Sequence, residues 1–181
     1  TSAMRTADAP LASMMGPAHV VDIRGLVGTA AFAEGKPTSP LVTRGFLEKH
    51  AATQAFKPGE VVLFFSGHTD NHLAPLPAAP ALDPCLAKPL AGLAEGWPAV
   101  SADAVAYLAE QGIRCLGTDG PTLGGVDATI AREVDWLTGS KGLVVVEMLT
   151  GLEAIADREA FFLFAPIKIA ATRGGYVRAL A

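Results

Sequence analysis

The sequence predicts an α/β fold, because strand-like apolar runs alternate with amphipathic segments along the chain. One run, Val61-Val62-Leu63-Phe64-Phe65, is apolar at every position, the pattern of a strand buried on both faces near the middle of a sheet. A strong turn, Lys57-Pro58-Gly59-Glu60, delivers the chain into it.

Each element follows in order. Residues 1–16 carry little pattern, and Gly16-Pro17 punctuates them before a first strand over residues 18–23. A connection containing Gly35, Pro37 and Pro40 leads to a short helix predicted over residues 43–55, where Phe46 and Leu47 sit among Glu48, Lys49 and His50. After the Val61 strand, Ser66-Gly67 releases the polar stretch His68-Thr69-Asp70-Asn71-His72. From there to Pro98 the chain is rich in proline and alanine and nearly free of charge, and it reads as a long surface loop. Ser101 is placed as the N-cap of a helix carrying Val105 and Leu108 and closed by Gly112. A short strand over 113–116, a turn at Gly117-Thr118-Asp119-Gly120-Pro121, a helix over 128–138 and a strand through Val144 come next. A helical turn over 150–156 and closing strands over 161–164 and 167–169 complete the pattern, with no internal repeat.

Composition bounds the function. With 181 residues, half of them apolar, the chain can bury one sizeable core, so a single domain over 1–181 is expected. A net charge of -4 and no basic cluster argue against a nucleic-acid surface and leave a small molecule or another protein chain as partner. Cys85 and Cys115 have no Cys-x-x-Cys spacing, which excludes a zinc knuckle and a disulfide framework. The apolar stretches are strand-sized and the first residues, Thr-Ser-Ala-Met-Arg, lack an apolar signal core. A soluble, cytoplasmic protein that does not bind membranes is the expectation.

Several residues are candidates for chemistry. Glu147 ends the apolar run Gly142-Leu143-Val144-Val145-Val146, and an ionised carboxylate buried there loses hydration unless a cation or hydrogen-bond donors answer it. A metal ion is one answer, and capping of the following helix is another. Asp135, twelve residues earlier, can return to Glu147 across the turn at Gly139-Ser140-Lys141-Gly142. Two carboxylates converging there repel unless a cation or proton lies between them. His68, Asp70 and His72 share a face if their segment is extended, a competent ligand set made of common turn residues. Asp119 is expected to bond the N–H groups of its own turn, and Cys115 to be an inert core thiol. No nucleophile elbow, phosphate loop or dinucleotide fingerprint occurs among the glycines 117, 120, 124 and 125.

Lys57-Pro58-Gly59-Glu60 through Gly67-His68, then Gly117-Thr118-Asp119-Gly120-Pro121-Thr122, Val145-Val146-Glu147-Met148-Leu149-Thr150-Gly151-Leu152 and Ala165-Pro166-Ile167-Lys168-Ile169 resemble consecutive blocks of one family. It is the cyclase family that includes bacterial arylformamidase (kynurenine formamidase) and isatin hydrolase, and the match runs in order from about Gly16 to the last residue. The resemblance implies a swivelling β/α-type domain with a mixed central sheet flanked by helices. It also implies hydrolysis of a cyclic or aryl-linked amide by a divalent metal, zinc or manganese, that activates water. It makes Glu147 a metal ligand and Asp135 the occupant of a position where such proteins carry a ligating histidine. Two features depart from the pattern: the aspartate at 135, and the absence of the family's His-x-Gly-Thr-His-x-Asp-x-Pro block, so the chain resembles roughly the last two thirds of a member.

The leading expectation is therefore a metal-dependent amidohydrolase with Glu147 and Asp135 as ligands, His68 and His72 lining a substrate pocket, and the site completed by residues outside this chain. The rival is a non-catalytic scaffold or regulatory subunit that keeps the fold. Either way, unpaired strand edges predict a homo-oligomer or a hetero-oligomer with a chain carrying the absent block.

Overall fold

The structure, a computed structural model, describes residue 5, residues 8–73 and residues 83–181. Among the described residues, strands and α-helices follow one another as β1 (Met15–Asp22), β2 (Phe32–Ala33), β3 (Lys36–Pro37), β4 (Leu41–Val42), α1 (Arg44–Ala51), β5 (Val61–Phe65), α2 (His68–His72), α3 (Lys88–Leu90), β6 (Ala99–Val100), α4 (Ala102–Glu110), β7 (Cys115–Thr118), α5 (Ala128–Lys141), β8 (Val144–Val146), β9 (Phe161–Pro166) and β10 (Val177–Leu180). The main sheet has the order β10-β9-β1-β5-β7-β8. Strands β1, β5, β7 and β8 run parallel, and β9 and β10 are antiparallel additions at one edge. The expected mixed sheet flanked by helices is what the chain forms, and β5 lies inside it as its composition predicts.

Strand β5 shows how sequence becomes layering. Alternate side chains leave opposite faces of a strand. Val62 and Phe64 join Leu47 of α1, Val105 and Leu108 of α4 and Val134 of α5 in the helix-side core. Val61, Leu63 and Phe65 join Val20, Cys115, Val146, Phe162 and Phe164 on the other face. Burial pushes the Cys115 thiol up to about 12, so it is the inert core residue expected.

The first strand begins earlier than Gly16-Pro17 suggests. It pairs antiparallel with β9 over Met15, Gly16 and Pro17, then parallel with β5 from Ala18 onward. Proline marks a change of partner here, where a missing N–H is tolerated, and not the strand's start. Gly16 is required by contact, because a Cβ there would lie 2.3 Å from the Gly59 carbonyl oxygen.

Other boundaries move for local reasons. Helix α1 begins at its Thr43 cap, whose hydroxyl accepts from Phe46 N–H at 3.3 Å, and ends at Ala51, short of residue 55. Ser101 occupies the N-cap position of α4 without capping it, since its hydroxyl donates to the Val42 carbonyl at 2.9 Å. Asp127 caps α5 by accepting from Thr129 and Ile130 N–H groups at 2.8 and 3.0 Å. The closing strand expected over 167–169 is instead β10, which returns to β9 after a turn. The long loop contains α3, and its residues 74–82 lie outside the described residues. Among the described residues no helix is long and apolar enough to cross a membrane.

Below the sheet lies a buried polar chain. His19 of β1, 1% exposed, places Nδ1 2.9 Å from Glu60 Oε2 and Nε2 2.9 Å from Nε2 of His50 on α1. Phe56 stacks at 4.5 Å from the His19 ring, and Tyr107 of α4 meets Phe56 edge-on. Lys57 N–H also donates to Glu60 Oε2 at 2.9 Å. Since the carboxylate accepts, His19 Nδ1 carries a hydrogen, and the two Nε2 atoms share one hydrogen between them. Burial first, and then the His19 charge, lower the His50 pKa from its ordinary 6.5.

Two predictions follow from this frame. Gly16→Ala forces the Gly59 backbone away and is expected to cost about 1–3 kcal/mol, read from the urea midpoint. The unfolded chain takes up the His50 proton at a higher pH than the folded chain does, so stability rises with pH through that window and is lost as pH falls through the depressed value. The urea midpoint should drop as pH falls through and below the ordinary histidine range, and the drop should shrink in His50→Gln, which keeps a donor for His19.

Candidate functional site

The four parallel strands end together, and a polar residue stands at each exit: Asp22 closing β1, Ser66 after β5, Asp119 after β7 and Glu147 after β8. Ligands of open α/β sheets bind at this edge. Asp22 is held by Arg24, whose guanidinium donates to both its oxygens at 2.7 to 3.2 Å and lies over the Phe65 ring. That contact keeps the Asp22 pKa below the ordinary value.

Asp119 is wholly buried, at 0% exposure. Its carboxylate feels its own backbone N–H, but its main partners are not in the turn that the sequence suggests. It reaches sideways to the exit of β5, accepting from Ser66 N–H at 2.9 Å, from the Ser66 hydroxyl at 2.6 Å and from Gly67 N–H. Burial pushes its pKa up, against the opposing pull of the Ser66 and Gly67 donors. The Thr69 hydroxyl donates to the Asp119 carbonyl.

Beyond Gly67, at φ +80°, the polar stretch forms α2 and not an extended segment. A helical turn puts positions i and i+4 on one face and i+2 elsewhere. His68 and His72 therefore meet, rings 4.6 Å apart, while Asp70 faces away and accepts from Gly151 N–H at 2.9 Å. The extended three-ligand face does not form. His68 Nε2 lies 3.0 Å from the Cys85 carbonyl, and the Trp97 ring is 5.8 Å away. Burial lowers the His68 pKa, with His72 adding to the effect and the Cys85 carbonyl opposing it.

Trp97 is a site residue that the sequence did not disclose. It is 2% exposed, and its indole N–H donates to the Thr122 carbonyl at 2.9 Å. A Cβ on Gly120 would lie 2.7 Å from its ring, so this glycine leaves room for the indole. One loop, 119–126, thus buttresses Trp97, and its Leu123 N–H donates to Glu147 Oε1 at 3.1 Å.

Glu147 differs from its expectation. The residue is exposed, because β8 is an edge strand with Val144 and Val145 only half-buried, and it caps no helix. Its carboxyl tip still sits under the 119–126 loop, and burial pushes its pKa up, with the charge of Asp135 as a further cause. It lines a cavity of about 500 Å³ with Thr150, Phe162 and Arg178. Asp135, exposed on α5, lines a separate cavity of about 550 Å³ with Thr138, Phe164 and Arg173. The two carboxylates feel each other but do not face one cavity. Among the described residues no group of three His, Cys, Asp or Glu side chains is placed to hold a metal ion. Glu147 accepts from Leu123 N–H through Oε1, and a carboxylate suits a hard divalent cation, yet its two oxygens make only part of a coordination shell.

A family model described as "Putative cyclase" matches residues 1–124. No curated protein matches the sequence. Among solved structures, the fold is similar to that of an isatin hydrolase bound to the product analogue thioisatinate, with a TM-score of 0.73 and 17% identity over 97% of this chain and 62% of that one. It is similar to isatin hydrolase A from Ralstonia solanacearum, with a TM-score of 0.73 and 20% identity over 99% of this chain and 64% of that one. A predicted metal-dependent hydrolase from Bacillus stearothermophilus aligns at a TM-score of 0.58 and 20% identity, over 97% of this chain and 68% of that one. The chain spans less than two thirds of the length of both isatin hydrolases. His68, His72 and Asp119 fall inside the stretch that the family model matches, and Asp135 and Glu147 beyond it. With residues 1–124 of 181 matched, this chain belongs to the cyclase family.

Proposed function

We propose that this chain is part of a metal-dependent hydrolase that cleaves the C–N bond of a cyclic or aryl-linked amide, in the manner of arylformamidase and isatin hydrolase. The observation that carries the reading is Glu147: a carboxyl at the C-terminal exit of β8, pushed toward protonation by burial and by Asp135. A divalent cation held at Glu147, zinc or manganese, would offset that charge and favour the ionised carboxylate. Glu147 is the residue of this chain that would hold it, Asp135 would add negative charge from the neighbouring cavity, and the remaining donors would come from outside this chain. When bound, such an ion polarises a carbonyl and brings water to a reactive pKa. His68 and His72 line the substrate side, and the buried Trp97 offers an aromatic wall beside them. A neutral His68 suits an uncharged amide better than a cation would.

The second reading is a scaffold or regulatory subunit in which the chemistry is lost. The aspartate at 135 and the lack of a third convergent donor among the described residues favour it. Both readings give the chain a partner. Edge strands β10 and β8 each pair on one side only within this sheet, and Phe161, Val177 and Leu180 are exposed at the β10 edge. A further copy or a chain bearing the histidine block would cover them.

Native mass spectrometry with elemental analysis of the protein isolated from its source tests the reading. The expected result is an oligomer with bound zinc or manganese that hydrolyses isatin or an aryl formamide, followed by ultraviolet absorbance. A metal-free assembly without such hydrolysis supports the scaffold. Glu147→Gln retains an acceptor for Leu123 N–H, so its stability should stay within about 0.5 kcal/mol while bound metal falls sharply. Unchanged metal content in that variant removes Glu147 from the ligand set.

A further inference from the structure

The mechanism outlined above leaves one buried ionisable group without a role. Asp119 has no cationic partner among the described residues, and it spends its carboxylate on Ser66 and Gly67. Its carbonyl takes the Thr69 hydroxyl. Residues on both sides of His68 are thus fixed by one residue of the neighbouring strand. The His68 N–H adds to this by donating to the Ser66 hydroxyl oxygen at 3.3 Å, the same hydroxyl that donates to Asp119.

At its other end His68 meets a group that can only accept. The Cys85 carbonyl lies 3.0 Å from Nε2, so Nε2 must carry the hydrogen. In a neutral ring the lone pair then belongs to Nδ1, and burial keeps the ring neutral. The ring is anchored from its backbone by Asp119 and from its tip by Cys85, with His72 and Trp97 as neighbours.

We propose that Asp119 is a positioning residue that acts through the Ser66–Gly67 turn to hold the His68 imidazole in a single Nε2–H tautomer, with Nδ1 as the hydrogen-bond acceptor offered to the substrate. The acceptor suits the N–H of an amide, the substrate class named above. The assignment of substrate rests on the hydrolase reading; the positioning does not.

Long-range proton–nitrogen NMR of the nitrogen-15-labelled protein tests it, because the two ring nitrogens report directly which of them is protonated. The expected wild-type spectrum gives His68 the pattern of one fixed Nε2–H tautomer. Asp119→Asn presents an amide N–H₂ group where donors now point, and it should convert that pattern to averaged tautomers while His19 and His50 keep their signals. Ser66→Ala, which leaves both backbone donors on Asp119, should give a smaller shift and covers the case in which Asp119→Asn does not fold. A wild-type Nδ1–H pattern, or a His68 spectrum unmoved by either variant when only the melting temperature falls, overturns the proposal. If the tautomer results hold but the wild-type assembly hydrolyses no amide, it is the hydrolase reading that fails and the positioning role that stands.

Discussion

A strand buried on both faces creates a problem at its exit. Every side chain of β5 is enclosed, so the first N–H groups past Phe65 emerge where water does not reach them. An unanswered buried N–H costs about 1–3 kcal/mol. Strand β7 runs alongside in register, Phe64 opposite Thr118, which brings Asp119 level with the exit of β5. One carboxylate there answers Ser66 N–H, Gly67 N–H and the Ser66 hydroxyl together. The direction of α2, the meeting of His68 with His72, and the placing of His68 near Trp97 all descend from that contact.

What was legible in the sequence divides along the same line. Elements with a dominant local signal stood out: the helix carrying Phe46 and Leu47, the Lys57-Pro58-Gly59-Glu60 turn and the uniformly apolar β5. Features set by distant partners did not. His68 to His72 is equally compatible with a turn, a strand or a helix, and it is the left-handed Gly67 and the hold on Thr69 that select the helix. Ile167 to Ile169 has strand composition, yet the edge position is taken by Val177–Leu180, where register with β9 allows pairing. Glu147 looked buried because three valines precede it, but an edge strand buries less than its composition suggests. Trp97 was hidden in a proline-rich stretch whose packing no periodicity encodes.

The chain separates two polar clusters by strand direction. His19, Glu60 and His50 sit toward the entry of β5, bonded to each other and to Lys57 N–H. Both ring nitrogens of His19 are used, one on Glu60 and one on His50, in a linear arrangement. This cluster serves the fold. At the opposite end, Ser66, Asp119, His68 and Glu147 stand where the parallel strands open onto loops, and there the bonding is incomplete: one Glu147 oxygen bonds Leu123, and His68 bonds at Nε2.

That asymmetry bears on whether chemistry survives in this chain. A carboxylate kept only as a relic would gain by becoming an amide, since burial and Asp135 both penalise its charge. An aspartate where the resemblance places a histidine changes the donor from nitrogen to oxygen, which moves preference from zinc toward harder ions. It also adds a second negative charge, and that raises the cost of leaving the place without a cation. A scaffold has no reason to bear this cost at the very edge where parallel strands present their ligands, whereas a site shared with another chain does. The electrostatics of Glu147 therefore support the proposed hydrolase over the scaffold.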